Sequence, residues 1–165
     1  KAAADIALFS WVKMFDLDSF IIRPFNNYGP RQNYKGYLAG IIPITAWRIC
    51  NGLPPEIHGS GDQTRDFIFV QDTVDAVLKL YPLLKPSESI NVSTDGQISM
   101  NEVVQKITDY FKYDGEVLKR PSRSSDVMTH NACNKKIKDY IQYNLTDFDK
   151  GLEKTLDTYK KIFLK

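Results

Sequence analysis

Arg23-Pro24-Phe25-Asn26-Asn27-Tyr28-Gly29-Pro30-Arg31-Gln32 follows the apolar run Phe20-Ile21-Ile22, and its reading decides the fold. An aromatic and two β-branched residues in a row suit a short buried strand, expected over 19–23 and stopped by Pro24. Asn26 and Asn27 then present carboxamides, which donate and accept and so can bridge a phosphate oxygen and a sugar hydroxyl. Gly29-Pro30 fixes the turn. In open α/β sheets ligands gather at the carboxyl ends of strands. A rigid Asn/Gly/Pro turn without a ligand is the alternative.

A second stretch, Gly59-Ser60-Gly61-Asp62-Gln63-Thr64-Arg65-Asp66-Phe67-Ile68-Phe69-Val70-Gln71-Asp72, repeats that logic. Gly59 and Gly61 let the backbone approach a ligand closely. Arg65 opens a buried strand, expected over 67–70, with a planar fork that suits a diphosphate. Asp66 either holds that fork or forms a surface ion pair. Asp72 reads as the cap of a helix bearing Val74, Val77, Leu78 and Tyr81 on one face. Together the stretches describe a site for an anionic, sugar-bearing ligand.

The rest of the chain alternates helices with strands, which makes the class α/β. Residues 1–15 read as a helix already under way, with Ala2, Ile6, Phe9 and Val12 near helical spacing and no cap before them, so truncation is the expectation. Pro43 suits the first turn of a helix ending near Cys50. Residues 56–58, 89–92 and 117–118 are strand candidates. Ser99 with Glu102 forms a capping box before Val103, Val104, Ile107, Tyr110 and Phe111. A short helix is expected from Asn131 or Ala132. Thr146 with Asp149 is read as the cap of a last helix carrying Phe148, Leu152, Leu156, Tyr159 and Phe163. Trp11 and Trp47 lie on apolar helix faces and read as core. Tyr28, Tyr34 and Tyr37 either line a sugar pocket or pack their loop. His130 reads as a surface residue before a helix.

The 165 residues are 42% hydrophobic and 25% charged, enough for one packed domain. With 22 basic and 20 acidic residues interspersed, the net charge of +2 points to no nucleic-acid partner. No apolar run reaches membrane-spanning length. Cys50 and Cys133 have neither metal nor redox spacing and read as free thiols in a reducing, cytoplasmic setting. Two lone histidines make no metal site.

Taken together, the two stretches resemble the nucleotide-sugar epimerases and dehydratases of the extended short-chain dehydrogenase/reductase superfamily. Ser89-Ile90-Asn91-Val92 looks like that family's next strand, with Ser93 in place of its usual glycine. Arg123-Ser124-Ser125-Asp126 looks like its later Arg-Pro-Gly-Asp turn, with the proline and glycine lost, and residues 134–143 resemble the helix after it. The resemblance implies a truncated Rossmann-type NAD(P)-binding fold: residues 1–32 end the Rossmann domain, and 33–165 are mainly a small α/β substrate-binding domain with the last Rossmann elements interleaved.

It also implies roles. Phe25 would lie near the nicotinamide of NAD. Asn26 would bond the diphosphate or sugar. Glu56 to His58 would run beside the base, Arg65 and Arg123 would clamp the diphosphate, and Asn91 would support the pocket. Lys1-Ala2-Ala3-Ala4-Asp5 looks like the continuation of the family's Tyr-x-x-x-Lys helix. Lys1 would then be the active-site lysine, holding the nicotinamide ribose and lowering the tyrosine's pKa. The sequence has neither that tyrosine nor a Gly-x-x-Gly-x-x-Gly loop, so most NAD contacts would lie upstream. The expected function is the C-terminal portion of an NAD-dependent 4-epimerase acting through a 4-keto sugar, inactive as a fragment. The alternatives are an NDP-sugar 4,6-dehydratase and a non-catalytic nucleoside-diphosphate-binding module. The expected ligand is a UDP-, TDP- or GDP-linked sugar, and the expected intact enzyme is a cytoplasmic homodimer.

Overall fold

In the computed structural model, residues 2–36, 39–122, 124, 126–164 are described. Lys1, Tyr37 and Arg123, to which roles were assigned above, lie outside them. The described chain is α/β, as expected. Its pairings are mostly parallel, in four small sheets.

Strand β1 (Ile21–Pro24) pairs in parallel with β6 (Ser89–Val92), Ile22 opposite Ile90 and Arg23 opposite Asn91. It begins and ends later than expected, and Pro24 is its last residue rather than its terminator. Ile21, Ile22 and Arg23 are only half-buried and Pro24 is exposed. Strand β2 (Asn26–Tyr28) pairs with β5 (Phe67–Phe69), so the two decisive stretches lie side by side. Strand β3 (Glu56–His58) pairs with β8 (Leu118–Arg120). Strand β4 (Thr64–Arg65) lies between antiparallel β7 (Ile98–Ser99) and parallel β9 (Thr129–His130). Strands β2, β7 and β9 were not expected from the sequence: the turn chemistry around Asn26 to Gly29 reads as loop, and two-residue strands carry no periodicity to read.

Strand β5 divides the core by its alternation. Phe67 and Phe69 face a cluster with Tyr28, Ile42, Ala46, Met100, Val103, Ile107, Leu152, Leu156 and Tyr159. That cluster joins β2 to α2 (Ile41–Cys50), α4 (Met100–Phe111) and α6 (Phe148–Phe163). Ile68 faces the other way, against Ala76, Leu80, Leu84, Ile90, Val92 and Ile137, where α3 (Val70–Leu80) and α5 (Lys135–Tyr140) pack on β6. Burying each such aliphatic side chain is worth about 1.5–3 kcal/mol.

Several local expectations change. Strand β5 runs straight into α3 with Phe69 at the N-cap and no side-chain cap, so Asp72 does not cap the helix. Asp72 lies inside the first turn and accepts from the Thr146 amide and hydroxyl, both at 2.7 Å. Thr146 is thereby taken, and Asp147 caps α6 instead, accepting from the amides of Asp149 and Lys150. The buried face of α3 carries Ala76 and Leu80, while Val74, Leu78 and Tyr81 are exposed. The face with Asp72, Ala76 and Leu80 is the buried one, so the larger apolar stripe misleads. The short helix starts at Lys135, later than expected. Ser99 accepts from the Glu102 amide at 3.1 Å, as the capping box required.

Helix α1 (Ala2–Phe15) buries only Val12. Trp11, expected in the core, is 54% exposed, and Trp47 is part-buried. What ties α1 to the sheet is Arg23, whose Nη2 and Nε donate to Asp5 Oδ2 at 2.7 and 3.2 Å and whose Nη1 donates to Ser89. Arg23 is therefore structural.

Candidate functional site

A cavity of about 400 Å³ opens where β2, β3, β4 and the first turns of α2 and α4 meet. Four expected site residues line it: Asn26, Glu56, His58 and Arg65. Phe25 and Asn91 do not. Phe25 sits just past β1 with its ring stacked on His130, centroids 5.0 Å apart. His130 is exposed, as expected, but lies on β9 in ring contact rather than before a helix. Asn91 lies on β6 opposite Arg23. Tyr28 is core, with its hydroxyl on Phe148 O, and Tyr34 packs edge-on to Phe163 at 4.7 Å.

Asn26 reaches the cavity because β2 starts there. Its Nδ2 donates to Asp66 O at 3.1 Å, leaving the carbonyl oxygen and a second N–H for a ligand. Arg65 donates through Nη1 to Thr64 O and Val127 O at 2.8 and 2.7 Å and through Nη2 to Asp126. Nε–H and one Nη2–H remain among its donors. Asp126, not Asp66, holds the fork. Asp66 is fully buried and accepts from the Thr94 amide, the Thr94 hydroxyl and the Asp95 amide, at 2.9, 2.6 and 3.1 Å. A buried carboxylate needs such donors, so Asp66 pins the loop after β6 beneath the site.

Glu56 comes from β3 with its neighbours from other elements. Its Oε1 accepts from Arg120 Nη2 and Nε at 2.7 and 3.1 Å and forms an ion pair with Arg48 Nη2 at 3.0 Å. The Arg120 hydrogen bonds above all hold its carboxyl below the usual range, with burial opposing and the charges of Arg48 and Arg120 assisting. His58 Nδ1 lies 3.4 Å from Pro121 O.

Gly59 and Gly61 do not line the cavity. Both have positive φ, and a Cβ there would meet Ser122 and Asn101. Asn101 also donates to Ser60 O and Asp62, and Lys119 donates to Ser60 O. This turn is sewn to α4 and β8. Gln32, Thr45, Arg48, Gln63 and Asp126 line the cavity without having been singled out. Gln32, Gln63 and Asp126 lay within the quoted stretches, where their composition carried no distinguishing signal. Thr45 and Arg48 sit on an ordinary helix. Ser93, at the family's glycine position, uses its hydroxyl to reach Ala132 O at 2.9 Å. Among the described residues no three His, Cys, Asp or Glu side chains gather as metal ligands, and no helix is long and apolar enough to cross a membrane.

Residues 1–93 match the model of the NAD dependent epimerase/dehydratase family. The chain belongs to that family. It is 28% identical over 161 residues to the UDP-glucose 4-epimerase of Mycolicibacterium smegmatis, covering 97% of this chain and 51% of that protein. It is 26% identical to the human dTDP-D-glucose 4,6-dehydratase, covering 99% of this chain and 47% of that one. The crystal structure of the Thermotoga maritima UDP-glucose 4-epimerase with UDP-glucose superposes with a TM-score of 0.91 at 27% identity, over 98% of this chain and 52% of that chain. The fold is thus that of Rossmann-type epimerases and dehydratases, and the chain spans about half the length of these relatives.

Proposed function

We propose that this chain is the C-terminal, substrate-binding portion of an NAD-dependent nucleotide-sugar epimerase that works through a 4-keto sugar. The observation that carries this reading is the cavity where Asn26, Glu56, His58 and Arg65 converge, with spare guanidinium N–H groups beside neutral carboxamides. Arg65 would take the diphosphate, Asn26 the diphosphate or an adjoining hydroxyl, and the strand from Glu56 to His58 would flank the base. Phe25 offers a flat ring at the carboxyl end of a parallel strand, backed by His130, which fits one face of a nicotinamide. Bound NAD would supply the hydride acceptor and donor. Lys1 would hold the nicotinamide ribose, Arg123 would add a second clamp on the diphosphate, and Asn91 would support the pocket from β6. A homodimer in the cytoplasm is the expected setting of the whole enzyme.

The 4,6-dehydratase is the second reading, favoured by the near-complete coverage of this chain by a dehydratase relative. Both would bind a nucleoside diphosphate here. Saturating UDP, TDP or GDP should raise the melting temperature, because selective binding to the native state stabilises it. Calorimetric titration of Arg65→Ala should then show affinity lower by roughly ten- to a hundredfold, the cost of losing a charge-assisted donor. Unchanged affinity would remove Arg65 from the site. The absence of any shift with all three nucleotides would remove the reading.

A further inference from the structure

Two polar atoms in the cavity wall are left unsatisfied by the protein. Gln32 Oε1 and Thr45 Oγ1 are buried, and neither has a hydrogen-bond partner among the described residues. Both residues line the same cavity. Thr45 is 1% exposed and sits one turn into α2. A helical threonine ordinarily turns its hydroxyl back onto a carbonyl of the preceding turn, and Thr158 does so onto Lys154 O at 3.1 Å. Thr45 does not.

The orientation of the Gln32 amide is set by its other end. Nε2 donates to Asn27 O at 3.0 Å, so the free end is the carbonyl, which only accepts. Gly40 makes room for this arrangement, since a Cβ there would lie 2.8 Å from Gln32 Nε2. The ligand must therefore bring a donor to this wall. Ionised phosphate oxygens and carboxylates bring none. A sugar hydroxyl donates and accepts, and so can meet a carbonyl and a threonine hydroxyl together.

We propose that Gln32 and Thr45 form a hydroxyl-reading subsite of the cavity, in which Gln32 Oε1 accepts from a sugar hydroxyl of the ligand and Thr45 Oγ1 exchanges a hydrogen bond with one. The proposal rests on the nucleotide-sugar reading above and divides the cavity chemically. The Arg65 wall supplies donors for the diphosphate, and the Gln32–Thr45 wall demands donors from a polyol. The hydroxyl belongs either to the hexose or to the ribose of the nucleotide sugar.

The test is calorimetric titration of this chain with an NDP-glucose, the free NDP and its 2′,3′-dideoxy form, in whichever of the UDP, TDP or GDP series it binds. Thr45→Val has the same shape and lacks the hydroxyl. It should leave the melting temperature of the free protein unchanged or higher, because an unsatisfied buried group is removed. It should weaken the hydroxyl-bearing ligand by roughly three- to tenfold, the worth of one hydrogen bond, and Thr45→Ser should restore it. A loss confined to the NDP-glucose assigns the hydroxyl to the hexose. A loss shared with the NDP but not its dideoxy form assigns it to the ribose. Equal affinities of Thr45→Val and wild type for all three ligands, or an equal loss for all three, overturn the subsite and leave the nucleotide reading standing. No binding by the wild type in any series overturns both.

Discussion

Glu56 gathers two hydrogen bonds from Arg120 and an ion pair with Arg48 on a single oxygen, and that asymmetry has a pH signature. Its folded pKa lies below the unfolded value, so its contribution to stability is present above the ordinary glutamate range. It is lost as pH falls through the depressed value. Urea midpoints of wild type and Glu56→Gln should therefore differ at neutral pH and converge below about pH 4, under the unperturbed glutamate pKa. A gap that stays constant down to the acid transition would mean that Arg48 and Arg120 hold the residue by shape alone. Arg65 was legible in the sequence because strand position and turn chemistry are local, whereas Glu56 and His58 entered through the family resemblance. The partner of Arg65 was not. Asp66 is its neighbour in sequence, but alternation turns adjacent strand residues to opposite faces, and the carboxylate that arrives is Asp126.

Among the elements, α6 shows where packing reverses propensity. Gly151 lies inside this helix, where replacing glycine by alanine ordinarily gains about 1 kcal/mol. Here a Cβ would collide with the Tyr28 hydroxyl and come within 3.1 Å of Phe69. Tyr28 cannot retreat, since it is 2% exposed and packs against Phe67, Phe69 and Phe148. Gly151→Ala should accordingly destabilise by about 1–3 kcal/mol, the usual cost of overpacking, as read from denaturant midpoints. A stabilised variant would show that α6 can shift away from β2. The strong stripes of α4 and α6 were readable because each helix is apolar on one side. Helix α3 was not, being apolar on two sides, and only the sheet selects which is buried.

On the scale of the whole molecule, the two cores share β5, while α1 stands apart. Its attachment is Val12 and the Arg23–Asp5 pair, and Ile6, Trp11, Met14 and Phe15 remain exposed. Amide hydrogen exchange should find α1 the least protected of the long helices and α4 and α6 the most, since protection follows buried contacts. Equal protection of α1 and α4 would contradict that ranking. By itself the sequence determined the α/β class, most strand and helix positions, the family and four residues of the cavity. The class and the element positions rest on short-range physics: alternation, helical periodicity, caps and the turn chemistry of glycine, proline and asparagine; the family, and with it the roles of Glu56 and His58, rests on the resemblance of whole motifs. Only the tertiary structure decided that Asp66 and Asp72 are internal struts, that Asp126 meets Arg65, and that Gln32 and Thr45 face one cavity. Such pairings depend on contacts between residues far apart in the chain, and local sequence carries no record of which polar groups long-range packing will leave unmatched.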